Sequence, residues 1–249
     1  MYLSCLLVDV GTDPDRPRPG RLWLRNLYHV HQRLCMAFPS ASRRSDDPLF
    51  LKPFDPAHLG AGEVHVRRGE NAGFLFRIDP RPGASPLILV QSATEPDWGY
   101  AFHNAQSLLR CCPEVRSFSP DFSHGAALRF RLLANPTRRL RAESLDAWGR
   151  PTDAEWVGKR VPVPTDRLGE WLTRRAEPAG FRVVRLDTMQ PGFVYANKTR
   201  DPGGGQRLRS VRYEGVLEVT DSAQFGKAVV RGIGSAKAFG FGLLSLALA

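Results

Sequence analysis

Two long runs decide the fold, Phe181 to Ala196 (FRVVRLDTMQPGFVYA) and Gln206 to Thr220 (QRLRSVRYEGVLEVT), with Asp201-Pro-Gly-Gly-Gly205 between them. Val, Leu, Phe and Tyr fill both runs, so each reads as a strand, and the Pro- and Gly-rich tip joins them as a hairpin. Reading outward from the hairpin, a strand is expected at Ala127 to Ala134, then a basic loop and a helix from Asp166 to Glu177. Beyond it, a helix from about Ser222 to Arg231 and a strand near Leu243 to Leu248 close the unit.

The first half repeats that order without repeating the sequence. Tyr2 to Val10 reads as a buried strand, and the Pro- and Asp-rich loop from Gly11 to Gly20 ends it. Asn26 can cap the helix that follows, where Leu27, Val30, Leu34 and Phe38 recur at spacings of three and four until Pro39. Residues 40–70 are a long polar insertion. Gly73 to Ile78 and Pro86 to Ser92 read as a strand pair, and a helical or irregular stretch leads to a last strand near Val115 to Phe118. Strand, helix, two strands, helix, strand is the split β-α-β arrangement, here twice. The expected class is therefore α+β: tandem ferredoxin-like (RRM-like) domains with antiparallel sheets, spanning residues 1–124 and 125–249.

Charge separates the halves. The chain has 249 residues and a net charge of +10; residues 125–249 carry 21 basic and 12 acidic side chains, residues 1–124 carry 14 and 13. A basic half attracts polyanions, because neutralising phosphates releases counterions. Arg supplies 30 of the 35 cations, and its planar fork suits phosphates and bases, although a GC-rich genome also favours Arg.

Other classes are excluded or disfavoured. The four cysteines, Cys5, Cys35, Cys111 and Cys112, form neither a Cys-x-x-Cys nor a zinc pattern, and nothing resembles a disulfide framework. Met1 to Val10 lacks the basic start of a secretory signal, and the longest apolar stretch, Phe239 to Ala249, is far short of the roughly 20 residues of a membrane helix. A cytoplasmic protein with no cofactor, no metal and no membrane partner is expected.

Three places can carry chemistry. Tyr28 and His31 lie three apart on the first helix, so their side chains can converge. Cleaving RNA without metal requires a group that accepts the 2′-hydroxyl proton and one that protonates the departing 5′-oxygen, and imidazole titrates in the right range. Taken alone, the pair reads as well as helix-edge packing. Gly232-Ile-Gly-Ser-Ala-Lys-Ala-Phe-Gly-Phe-Gly242 is Gly-rich enough for backbone approach to phosphate, with Lys237 as a cation, or is a tight structural turn. It is neither a Walker loop nor a dinucleotide fingerprint. The hairpin arms carry Asn197, Lys198 and Arg200 against Arg207, Arg209 and Arg212, and Arg138, Arg139 and Arg141 form a second cluster. Both are phosphate contacts or a solvated charged face. No strand shows the RRM base-stacking signature, so recognition is expected to rest on shape, phosphates and Arg.

Together these segments resemble the CasE family, the CRISPR RNA-processing endoribonucleases of subtype I-E systems. The resemblance is carried by Met1-Tyr-Leu-Ser4, Leu27-Tyr-His-Val-His-Gln32, Leu128-Arg-Phe-Arg-Leu-Leu-Ala-Asn-Pro136 and Gly232 to Ser245, with echoes at Gln91 to Trp98 and Tyr213 to Leu217. It implies binding to a CRISPR repeat stem-loop and cleavage at its 3′ base, leaving a 2′,3′-cyclic phosphate and a 5′-hydroxyl, with no metal. It also implies retention of the crRNA inside Cascade, beside the backbone subunit at the crRNA 3′ end. By the same resemblance His31 is the catalytic histidine, Tyr28 assists it, and Lys198 or Arg200 braces the scissile phosphate, Lys198 being preferred. Gly234, Ser235 and Lys237 look like the family's RNA-facing loop, and on their charge Arg138, Arg139, Arg200, Arg207 and Arg209 are expected to contact RNA. The rival on the same fold is a non-catalytic crRNA-binding subunit.

Overall fold

The computed structural model describes residues 1–13, 15, 18–49, 51, 73–119, 121–142, 153–197 and 205–249. The first half runs β1 (Tyr2–Leu7), α1 (Pro19–Leu24), α2 (Leu27–Cys35), α3 (Ala41–Asp46), β2 (Phe74–Asp79), β3 (Leu87–Ser92), α4 (Trp98–Phe102) and β4 (Glu114–Ser117). The second runs β5 (Ala127–Ala134), β6 (Thr137–Arg139), β7 (Arg160–Pro162), α5 (Leu168–Ala176), β8 (Phe181–Asn197), β9 (Gly205–Val219), α6 (Ser222–Arg231) and β10 (Leu244–Leu248).

The strand orders are β2-β3-β1-β4 and β10-β5-β9-β8, with neighbours antiparallel throughout. In each sheet the last strand lies beside the first, and the third separates the first from the second. That is the split β-α-β topology, so the fold is two ferredoxin-like units in tandem. β8 and β9 pair from Phe181↔Val219 out to Asn197↔Gly205, a ribbon that runs well past the core.

Local chemistry sets the elements that carry the site. Asn26 accepts the Tyr28 backbone N–H at 3.0 Å and starts α2, while Val30 and Leu34, one turn apart, are fully buried. They meet Leu6, Phe76, Ile88 and Trp98 in the first core. Asp221 caps α6 in the same way, and its Phe225 and Val229 join Phe181, Leu172 and Tyr213 in the second. Burying side chains of this size contributes about 1.5–3 kcal/mol each, which outweighs the weak intrinsic stability of helices this short.

A third, smaller cluster joins the halves: Ala196, Phe239 and Phe241, with Leu27, Tyr28, Leu133, Val194, Leu208 and Ala236 packed on them. Two polar contacts add to it. Gln91 Nε2 donates to the Val229 carbonyl at 2.7 Å. Arg77, forked onto Asp79 at 2.7 and 2.8 Å, donates to Ser245 Oγ at 2.8 Å.

Three elements differ from the sequence reading. Pro19 opens α1 at the end of the loop expected to be irregular, where a first-turn proline costs no hydrogen bond. Ser40 caps α3 inside the polar insertion, and Arg43 pairs with Asp47 at 2.9 Å; residues 52–70 of that insertion lie outside the described residues. The basic loop after β5 contains the two-stranded ribbon β6–β7, which places Arg138 and Arg139 on a strand.

Candidate active site

Tyr28 and His31 share one face of α2, their ring centroids 6.3 Å apart. Both are half-buried, whereas His29 is exposed. The imidazole lies against β2, stacked on Phe74 at 5.4 Å and Phe76 at 6.3 Å. Its Nε2 is 3.6 Å from Cys35 Sγ, the residue one turn later, so ring and thiol are hydrogen-bonded along the helix. Arg33 ties the same helix to α4, donating to the Ala101 carbonyl and to Asn104 Oδ1, each at 3.0 Å. The helix is thereby gripped on both sides of the Tyr–His pair.

The Gly-rich segment forms the opposite wall. Ile233 N–H donates to the Gly242 carbonyl at 2.9 Å and Gly242 N–H to Leu133 at 2.8 Å, which closes residues 233–242 into a loop anchored on β5. Phe239 at its base stands 6.4 Å from Tyr28. Gly240 has φ +82°, and a Cβ there would sit 3.2 Å from the Phe76 ring that supports His31. Burial, with Arg231 as the second cause, holds the Lys237 ammonium pKa below the usual lysine range. Gly234 packs over Trp171, and Ser235 Oγ donates to the Asn135 carbonyl at 3.3 Å beside Thr137.

Thr137 connects this loop to the cations. Arg160, opposite Arg139 in the β6–β7 ribbon, donates to Thr137 Oγ1 at 3.3 Å. On β9, Arg209 donates to Thr165 Oγ1 at 2.6 Å, and Arg207 lies over the Phe193 ring at 3.7 Å. The structure therefore brings together Tyr28 with His31, and separately Ser235 with the strand that carries Arg138 and Arg139, while Gly234 and Lys237 lie in the same loop as Ser235. Arg207 and Arg209 stand on the hairpin, while Lys198 and Arg200 lie outside the described residues.

Sequence reasoning missed Cys35, Phe74, Arg160 and the exposed aromatics Phe193 and Tyr195. Cys35 stands four residues after His31, a spacing that could have found it. The aromatics alternate with Val194 and Ala196 along β8, so period two would have set them on the face away from the inter-unit cluster.

Among the described residues no three or more His, Cys, Asp or Glu side chains gather as a metal site, and no helix is long and apolar enough to cross a membrane.

Fold and site together define a tandem ferredoxin-like protein with an imidazole and a phenol held beside a glycine-rich loop, which in turn meets a cationic strand. The chain belongs to the CRISPR associated protein family, whose model matches residues 1–247. It is 34% identical to the CRISPR-associated endoribonuclease Cse3 of Thermus thermophilus, over 99% of this chain and 100% of that one. To the CRISPR system Cascade subunit CasE of Escherichia coli it is 27% identical, over 99% of each. Among solved structures it superposes on Thermus thermophilus Cse3 bound to an RNA representing a pre-cleavage complex, with a TM-score of 0.68 and 30% identity, covering 99% of this chain and 98% of that one. The resemblance to the CasE family read from the sequence is borne out.

Proposed function

We propose that this chain is an endoribonuclease that cuts CRISPR precursor RNA at the 3′ base of the repeat stem-loop without a metal ion, leaving a 2′,3′-cyclic phosphate and a 5′-hydroxyl. The observation that carries the reading is the Tyr28–His31 pair, set 6.3 Å apart against a glycine-rich loop, in a chain aligned end to end with an endoribonuclease. His31 moves the proton at the 2′-hydroxyl or at the departing 5′-oxygen, and Tyr28 positions the scissile group or shares the transfer. The rate comes mainly from holding the 2′-oxygen, phosphorus and 5′-oxygen in line.

Lys198 braces the scissile phosphate, where a cation already in place stabilises developing charge without reorganisation. Arg138, Arg139, Arg160, Arg200, Arg207 and Arg209 contact the RNA together with Gly234, Ser235 and Lys237. Residues 1–124 act as the catalytic domain and 125–249 as the RNA-gripping domain. The product crRNA stays bound, and the protein works in the cytoplasm as a Cascade subunit next to the backbone subunit at the crRNA 3′ end; the Cascade name of the Escherichia coli relative supports this.

The test incubates wild-type and His31→Ala protein with the cognate repeat RNA in EDTA and maps the product ends. One cut below the stem by the wild type alone, with a cyclic phosphate, is expected. Tight binding with no cut by either protein would instead make it a crRNA-holding subunit.

A further inference from the structure

The open face of the second sheet and the far end of its hairpin carry the same residue types in opposite electrostatic states. On the sheet, Arg131 pairs with Glu214 at 2.8 Å, Arg182 with Glu218 at 2.7 Å and Arg185 with Asp187 at 2.5 Å. Those cations are neutralised in place. Towards the hairpin end, Arg207 and Arg209 have no carboxylate partner among the described residues and lie instead on an aromatic ring, at 3.7 and 5.5 Å from the Phe193 centroid. Thr165 fixes Arg209 from the side. Tyr195, the cross-strand partner of Arg207, is next along the same face.

Phe193 is 46% exposed and Tyr195 is 68% exposed, on the edge strand of the sheet. Leaving large rings in water forgoes their burial, and an Arg plane laid on one ring is a preorganised stacking surface with an uncompensated charge. Charge and shape select the occupant. A nucleobase has a flat face for Tyr195 and the Arg207 plane, and its phosphate supplies the missing anion.

We propose that Tyr195 and Arg207 form a stacking site for one unpaired nucleobase of the bound RNA, with Phe193 as the positioning residue that holds Arg207 flat and Arg209 on the adjoining phosphate. This rests on the RNA-cleaving reading above and adds to it a contact to unpaired RNA. It separates two duties on one ribbon: Val194, Ala196 and Leu208 pack towards Tyr28, and the opposite face reads single-stranded RNA.

The test measures affinity for two RNAs, the repeat stem-loop with its unpaired nucleotides and a fully paired duplex of the same stem. Tyr195→Ala should weaken binding of the stem-loop about tenfold, the loss of one stacked base, and leave the duplex unchanged. Tyr195→Phe should restore it, since the ring rather than the hydroxyl does the stacking. Phe193→Ala should weaken the stem-loop and also flatten its salt dependence, because Arg209 is no longer held on the phosphate. Equal losses on both RNAs, as for a general charge or folding effect, overturn the proposal, as does no loss in a protein that still cuts. A wild type that binds neither RNA overturns the endoribonuclease reading itself.

Discussion

Gly240→Ala tests whether the glycine-rich loop sets the position of the His31 ring. Gly240 has φ +82°, where an L side chain costs about 1–2 kcal/mol. Its Cβ would stand 3.2 Å from Phe76 Cε2, closer than an ordinary contact, so Phe76 has to give by tenths of an ångström. Phe76 is fully buried and stacks on His31 with 18° between the rings, so the displacement is passed to the imidazole. At about 2–4 °C per kcal/mol for a chain of this size, the melting temperature should fall by about 2–8 °C. In-line displacement tolerates little misplacement, so single-turnover cleavage should slow about tenfold while RNA affinity holds within about twofold. Gly83→Ala is the control: it has φ +71° and nothing within 4 Å, hence the same backbone strain and no neighbour to push. The assay is cleavage with protein in excess over RNA, alongside calorimetric melts of both variants. Equal cleavage rates for Gly240→Ala and Gly83→Ala would refute the transmission from loop to Phe76 to His31.

Four further outcomes follow from the same geometry. His31→Ala should cut about 10²–10⁴ times more slowly with RNA affinity intact, and Tyr28→Phe should lose less; matching losses of affinity in filter binding would contradict this division of roles. Cys35→Ala should displace the pH–rate profile of single-turnover cleavage while Cys35→Ser, which keeps a donor beside Nε2, should not; identical profiles for all three proteins would make the 3.6 Å contact incidental. If Lys237 contacts phosphate as proposed, its help is lost as pH rises through a pKa that burial holds below the usual lysine range, and Lys237→Arg should move the alkaline loss of affinity upward in titrations. Arg77→Ala leaves Asp79 without its buried partner and frees Ser245, which should cost about 3 kcal/mol in urea unfolding.

The secondary structure was legible where one period ran long enough to be read. Leu27, Val30 and Leu34 announce α2, and the paired runs of β8 and β9 announce the hairpin to within a residue of their ends. α1 was not legible because six residues in a Pro-rich stretch show less than two turns of pattern, and its one buried large side chain, Trp23, looks like any other loop aromatic. The β6–β7 ribbon escaped for a related reason. Three-residue strands carry no alternation, and only the non-local pairing of Thr137 with Pro162 makes them strands. The Tyr28–His31 spacing was local and therefore readable, but the rings that hold His31 come from β2, more than forty residues away in sequence. Neither spacing nor composition reports a contact of that range.

One apolar joint underlies both halves of the proposed reaction. Phe239 and Phe241 of the glycine-rich loop pack at once on Tyr28 from the first unit and on Val194, Ala196 and Leu208 from the hairpin. The helix that carries His31 and the stem of the β8–β9 hairpin therefore share a single apolar joint, reinforced by the Gln91 and Arg77 hydrogen bonds between the units. A loose joint would let bound RNA slide relative to His31 and forfeit the alignment on which the rate depends. Packing the joint with aromatic rings, which move little in a dense interior, ties the hairpin proposed to hold RNA to the helix proposed to cut it.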